Sequence, residues 1–125
     1  MDEQPRRVLI VEDEKTLAHA LNLKLLHEGF AVTLAGNGQE CLDLLAKEQF
    51  DVVLLDLVMP EVNGFQVLEQ IKDKPNKPII FVLSNLSQPE DETRVLALGA
   101  KKFFIKSDTP LTTIVDEIKK TSSET

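Results

Sequence analysis

Short, unbroken apolar runs recur along this chain, and the stretches between them carry helical period. Val8-Leu9-Ile10-Val11, Val52-Val53-Leu54-Leu55 and Ile79-Ile80-Phe81-Val82-Leu83 are continuous and rich in β-branched residues. That is the pattern of strands buried on both faces of a parallel sheet. Shorter runs at Ala31 to Leu34 and Phe103 to Ile105 predict two more strands. Between them, Leu17, Leu21 and Leu25 form one helical stripe, Cys41, Leu42 and Leu45 a second, and Phe65, Leu68 and Ile71 a third. Leu111, Ile114, Val115 and Ile118 make the last, and Val95, Leu96 and Leu98, ended by Gly99, a weaker one before it. Turn residues fall between the runs: Gly29, Gly36 and Gly38, Asn63-Gly64, Pro75 to Pro78 and Gln88-Pro89. Thr109-Pro110 reads as an N-cap followed by proline at the first helical position.

The order is therefore (βα)5. It predicts an α/β fold with right-handed crossovers and an open, doubly wound sheet of five parallel strands. At this size the flavodoxin-like strand order 2-1-3-4-5 is the common solution. A length of 125 residues matches one domain over residues 1–125, with a core over about 6–120 and loose ends at 1–5 and 121–125. On that reading no output domain is left within the chain. Lys and Arg number 14 against 21 Asp and Glu, a formal charge of −7. That balance disfavours nucleic acid and anionic membranes, since binding either depends on basic groups displacing counterions. Cys41, the single cysteine, cannot make an internal disulfide, and neither a signal-like N-terminus nor an apolar stretch near 18 residues is present. A cytoplasmic protein is the expectation.

In such sheets ligands bind beyond the carboxyl ends of the strands. The first strand is followed by Glu12-Asp13-Glu14, the third by Asp56 and then Met59-Pro60, the fourth by Ser84-Asn85, and the fifth by Lys106-Ser107. Adjacent first and third strands would gather Glu12, Asp13 and Asp56, with Ser84 and Lys106 on the other flank. Clustered carboxylates stay ionised together only around a cation, and an all-oxygen set suits Mg²⁺. A lysine facing that site can hold a phosphoryl oxygen, and a serine hydroxyl can donate to another. The combination describes phosphoryl transfer to an aspartate.

At these residues the chain resembles the receiver domains of two-component response regulators, the CheY-like fold. The matching motifs are Val8-Leu9-Ile10-Val11-Glu12-Asp13-Glu14, Asp51-Val52-Val53-Leu54-Leu55-Asp56 leading to Met59-Pro60 and Asn63-Gly64, Leu98-Gly99-Ala100, and Phe103-Phe104-Ile105-Lys106. The resemblance implies that Asp56 is the phosphoacceptor and that Asp13, Asp56, the Val58 carbonyl and, through water, Glu12 arrange Mg²⁺. It implies that Lys106 contacts the phosphoryl group, that Ser84 is the switch hydroxyl and that Phe103 is the aromatic whose rotamer follows it. The implied phosphodonor is a phosphohistidine on a histidine kinase or histidine phosphotransfer protein, or a small phosphodonor. The implied output is a protein contact through the face made by the fourth helix, fifth strand and fifth helix, from a monomer or a phosphorylation-dependent homodimer with no substrate turnover of its own.

This sequence departs from the family pattern in several places. Ser107 stands where proline, often after a cis bond, usually follows the lysine. A cis bond to a non-proline residue costs about 2.5–4 kcal/mol, so the loop is either trans and reshaped or strained. Asn85 replaces a small residue and can narrow the phosphate entrance or hydrogen-bond across it. Phe103 lacks a tyrosine's hydroxyl. Val58 and Leu86 are apolar where polar side chains can orient a hydrolytic water, which predicts slow self-dephosphorylation.

Blander readings stand beside these. Asp13 and Asp56 could be ordinary strand-end carboxylates, Ser84 a loop cap, and Phe103 plain core. His19 and His27 read as solvent-facing, Cys41 as a small buried hydrophobe, and Glu90-Asp91-Glu92 as an acidic first helical turn. Among rival functions, an aspartate-nucleophile phosphatase would need an acid where Val58 stands. A flavin carrier would need a glycine- and hydroxyl-rich loop where Glu12-Asp13-Glu14 stands. A docking module that has lost phosphorylation would keep the fold but not the chemistry.

Overall fold

The computed structural model describes residues 5–86 and 88–122. Five strands, β1 (Arg7–Val11), β2 (Ala31–Ala35), β3 (Val52–Leu55), β4 (Ile79–Ser84) and β5 (Lys102–Ile105), alternate with α1 (Lys15–His27), α2 (Gly38–Lys47), α3 (Gly64–Ile71), α4 (Pro89–Ala97) and α5 (Leu111–Ser122). All strand pairs are parallel, in the order β2-β1-β3-β4-β5. The fold expected from the alternation of runs is thus the one present.

Side-chain alternation along the strands sorts the core into two layers. Leu9, Val11, Val53, Leu55, Ile80 and Val82 join Cys41 of α2, Val67, Leu68 and Ile71 of α3, and Val95 of α4. Val8, Ile10, Val52, Leu54, Phe81, Leu83 and Phe104 pack with Ala18, Leu21 and Leu25 of α1 and Ile114, Val115 and Ile118 of α5. Because both faces are covered, the central strands carry no polar alternation. Each fully buried leucine or isoleucine contributes about 1.5–3 kcal/mol.

Local chemistry sets the element ends. Gly29 and Gly99, at φ 94° and 105°, turn the chain after α1 and α4. The Asn37 side chain accepts from Glu40 N–H at the start of α2. Asn63 and Gln66 form a reciprocal capping box at the start of α3. Gly64 follows directly, and a Cβ there would lie 2.5 Å from the Asp56 carbonyl oxygen and 2.8 Å from Leu57 Cα. Only glycine lets α3 begin this close to the Asp56 backbone.

Two local expectations need correcting. Thr109 does not cap α5; its hydroxyl donates to the Ile105 carbonyl at 2.8 Å, and the Pro110 carbonyl accepts from Thr113 N–H at 3.0 Å as the helix begins at Leu111. Thr121 is no loose end either. It is helical and 1% exposed, accepting from Arg6 Nη2 at 3.0 Å and donating to the Ile118 carbonyl at 2.7 Å. The remaining expected loose residues, 1–4 and 123–125, lie outside the described residues, while Pro5 is exposed. His19 and His27 face solvent and Cys41 is fully buried, as expected.

Candidate functional site

β1 and β3 are neighbours in register, so their carboxyl ends lie side by side. Asp56 N–H continues the ladder to the Val11 carbonyl at 3.0 Å, and Glu12 N–H does so to Ala35 at 3.0 Å. Glu12 and Asp56 are therefore fixed by sheet backbone, and they are 5% and 3% exposed. Asp13 is exposed beside them. Glu12, Asp13 and Asp56 each offer a carboxylate oxygen, and these oxygens lie within 4.8 Å of one another. The three carboxylates predicted to cluster do so.

Lys106 arrives from the end of β5 and is the cation that meets them. Its Nζ lies 2.9 Å from Glu12 Oε1, 3.2 Å from Asp56 Oδ2 and 2.9 Å from Glu14 Oε2. Glu12 Oε2 also accepts from Glu14 N–H at 3.0 Å, and Asp56 Oδ1 accepts from Val58 N–H at 3.2 Å. Glu14, most of whose side chain is open to solvent, is a further partner of the lysine that the strand-end pattern does not give.

Burial governs the electrostatics. It pushes the Glu12 carboxyl from its ordinary 4.5 up to about 7, with the Asp56 charge adding to the rise and the bonds from Lys106 and Glu14 N–H opposing it. Burial also raises Asp56, against the lowering effect of Lys106 and of Val58 N–H. For Lys106 burial works downward, but its hydrogen bonds to Glu12 and Glu14 and the charge of Asp56 outweigh it and hold the ammonium above its usual range. The carboxylates thus sit in a place that wants positive charge beyond what one lysine supplies. A hard, all-oxygen donor set with that deficit fits a divalent cation such as Mg²⁺.

These groups border an open cavity of about 340 Å³, lined by Asp13, Glu14, Asp56 and Lys106 together with Val58, Ser84, Asn85 and Leu86. Ser84 ends β4 fully buried, and its hydroxyl oxygen accepts from Leu86 N–H at 3.3 Å. Val58 presents an exposed side chain, and Leu86 a half-buried one. Phe103 is half-buried and packs on the core layer of α2, α3 and α4. By alternation it shares that side of the sheet with Ser84, since Ile80 and Val82 of β4 lie there too. The described peptide bonds include no cis bond, so Lys106-Ser107 is trans. Ser107 N–H donates to Asn85 Oδ1 at 3.0 Å.

This sheet order, with acidic residues and one lysine gathered at its carboxyl edge, is that of the CheY-like α/β proteins. The family model for the response regulator receiver domain matches residues 8–119, and the chain belongs to that family. The response regulator ArlR of Staphylococcus epidermidis is 35% identical over 99 residues, covering 79% of this chain and 45% of that protein. The chain thus spans less than half the length of the curated relatives it matches. Among solved structures, the signal receiver domain of a DNA-binding response regulator from Colwellia psychrerythraea 34H is 30% identical with a TM-score of 0.84, covering 94% of this chain and 98% of that one. A CheY-like receiver domain protein from Methanospirillum hungatei JF-1, at 24% identity, shares the fold with a TM-score of 0.88 over 97% and 96% of the two chains.

Proposed function

We propose that this receiver domain takes a phosphoryl group on Asp56 and that the group's charge resets a protein-binding face. The observation that carries the reading is Lys106, whose Nζ stands 3.2 Å from Asp56 Oδ2 and 2.9 Å from Glu12 Oε1 in a largely buried site open on one side to the cavity. Asp56 Oδ attacks phosphorus, a new P–O bond forms, and the bond to the donor breaks, leaving the histidine nitrogen of a kinase or phosphotransfer protein or the acid of an acyl phosphate. Lys106 holds a phosphoryl oxygen as charge gathers on it. Glu12, Asp13, Asp56 and the Val58 carbonyl would hold Mg²⁺, which supplies neutralising charge for the phosphoryl oxygens. The product carries close to two negative charges. Ser84 turns to donate to it and Phe103 moves into the space released, altering the α4–β5–α5 face that meets a downstream protein. The domain works as a switch in the cytoplasm, as a monomer or a phosphorylation-dependent homodimer, and turns over no separate substrate.

Incubation with acetyl phosphate and Mg²⁺ followed by intact-mass measurement tests this. One phosphoryl adduct is expected on the wild type and none on Asp56→Ala. A wild type that stays unmodified with every donor, phosphohistidine included, would point to a docking module instead.

A further inference from the structure

The β4–β5 ladder ends at the pair Ser84 and Ile105. One more bond joins the two chains beyond it, from Ser107 N–H to Asn85 Oδ1 at 3.0 Å. Each partner directly follows a residue of the site, Asn85 after Ser84 and Ser107 after Lys106. Ser107 lies in the 3-10 turn Lys106–Asp108, where the first N–H groups lack partners within the turn. The Thr109 hydroxyl fastens the other side of the same turn to the Ile105 carbonyl at 2.8 Å. The backbone of Lys106 is therefore tied on both sides.

That matters because a lysine is a point charge on a flexible stem. Lys106 Nζ has a choice of carboxylates, the exposed Glu14 and the buried Glu12 at 2.9 Å each and the buried Asp56 at 3.2 Å. Where the stem begins decides how the ammonium divides itself between them. We propose that Asn85 is a positioning residue for phosphoryl transfer: its carboxamide oxygen clasps Ser107 N–H and so holds Lys106 against Asp56. The clasp also ties the Lys106 turn to the strand end that carries Ser84, so a shift of either segment draws on the other. A backbone N–H at position 107 is indispensable to this device, and serine supplies one where proline could not. The inference rests on the role of Asp56 and Lys106 proposed above.

The test has two readouts. Amide hydrogen exchange followed by ¹⁵N NMR should show Ser107 N–H protected in the wild type and in Asn85→Asp, which keeps the acceptor, and unprotected in Asn85→Ala. With acetyl phosphate and Mg²⁺, Asn85→Ala should lower the maximal phosphorylation rate about tenfold, short of the roughly 100-fold that a 1 Å misplacement can cost, with the half-saturating donor concentration unchanged. In a Ser107→Pro background, which lacks the donor, adding Asn85→Ala should cost nothing further. The clasp is overturned if Asn85→Ala reacts at the wild-type rate, if it slows both backgrounds equally, or if Ser107 exchanges as fast in the wild type as in the alanine variant. A wild type that takes no phosphoryl group overturns the reading of Asp56 instead, and the Ser107 exchange measurement still decides the clasp, whether or not the proline variant folds.

Discussion

Replacing Glu12 by glutamine should stabilise the metal-free protein at neutral and alkaline pH. Glu12 is buried with a side chain 2% exposed, and even its contact with Lys106 leaves its carboxyl raised from 4.5 to about 7. A raised acid binds its proton more tightly folded than unfolded, so its contribution to stability is fully present below about pH 4.5 and is lost as pH climbs through 7. At about 1.4 kcal/mol per tenfold, the full loss is about 3 kcal/mol, as an upper value. Glutamine keeps an oxygen for Glu14 N–H and Lys106 but never ionises. In EDTA, urea unfolding should find Glu12→Gln more stable than wild type at pH 8 by up to about 3 kcal/mol, with the gap closing to about 1 kcal/mol or less at pH 5. Adding Mg²⁺ at pH 8 should stabilise the wild type more than the variant, narrowing the difference. A glutamine variant no more stable than wild type at pH 8 in EDTA would refute the reasoning, because it would mean that pairing with Lys106 outweighs the cost of burial.

Other outcomes follow from single features. Val58→Asn combined with Leu86→Glu should speed decay of the phosphorylated protein about tenfold by giving a water polar partners at the cavity rim; intact-mass time courses measure it. Gly64→Ala should destabilise by about 2 kcal/mol, since the new Cβ meets the Asp56 carbonyl at 2.5 Å, and denaturant melts followed by circular dichroism would show it. Cys41, fully buried with its thiol pushed up to about 12 by that burial, should not react with a thiol reagent in the native protein and should react on unfolding.

The fold was legible because burial on both faces removes ambiguity from the strands. Val52-Val53-Leu54-Leu55 could only be interior, and all four are buried. The strand ends then named Glu12, Asp56 and Lys106 without any knowledge of distance, because a parallel sheet brings its carboxyl ends to one edge. Strand ends were less sharp than strand interiors: β1 begins at Arg7, β2 runs to Ala35, β4 to Ser84 and β5 begins at Lys102, each one residue beyond the apolar run. Contacts made by side-chain reach could not be read. Glu14 to Lys106 spans 92 positions, and Arg6 to Thr121 spans 115. Thr109 illustrates a competition that local pattern cannot judge, since the same hydroxyl can cap forward or bond back to a carbonyl, and here it bonds back.

Helix α4 holds to the sheet by little. Val95 is the one buried residue within it, whereas α3 buries Gly64, Val67, Leu68 and Ile71 over a shorter length. Its first turn is Glu90, Asp91 and Glu92, soluble as readily as it is folded. In a protein that opens in cooperative pieces, such a segment belongs at the low end of the free-energy scale, and its amides should exchange with solvent well before those of β1 or β3. The helix that follows the strand ending in the buried Ser84 is thus the one that its own buried residues hold least, and a small change at the strand end can be read out as a change in how often that helix leaves the surface.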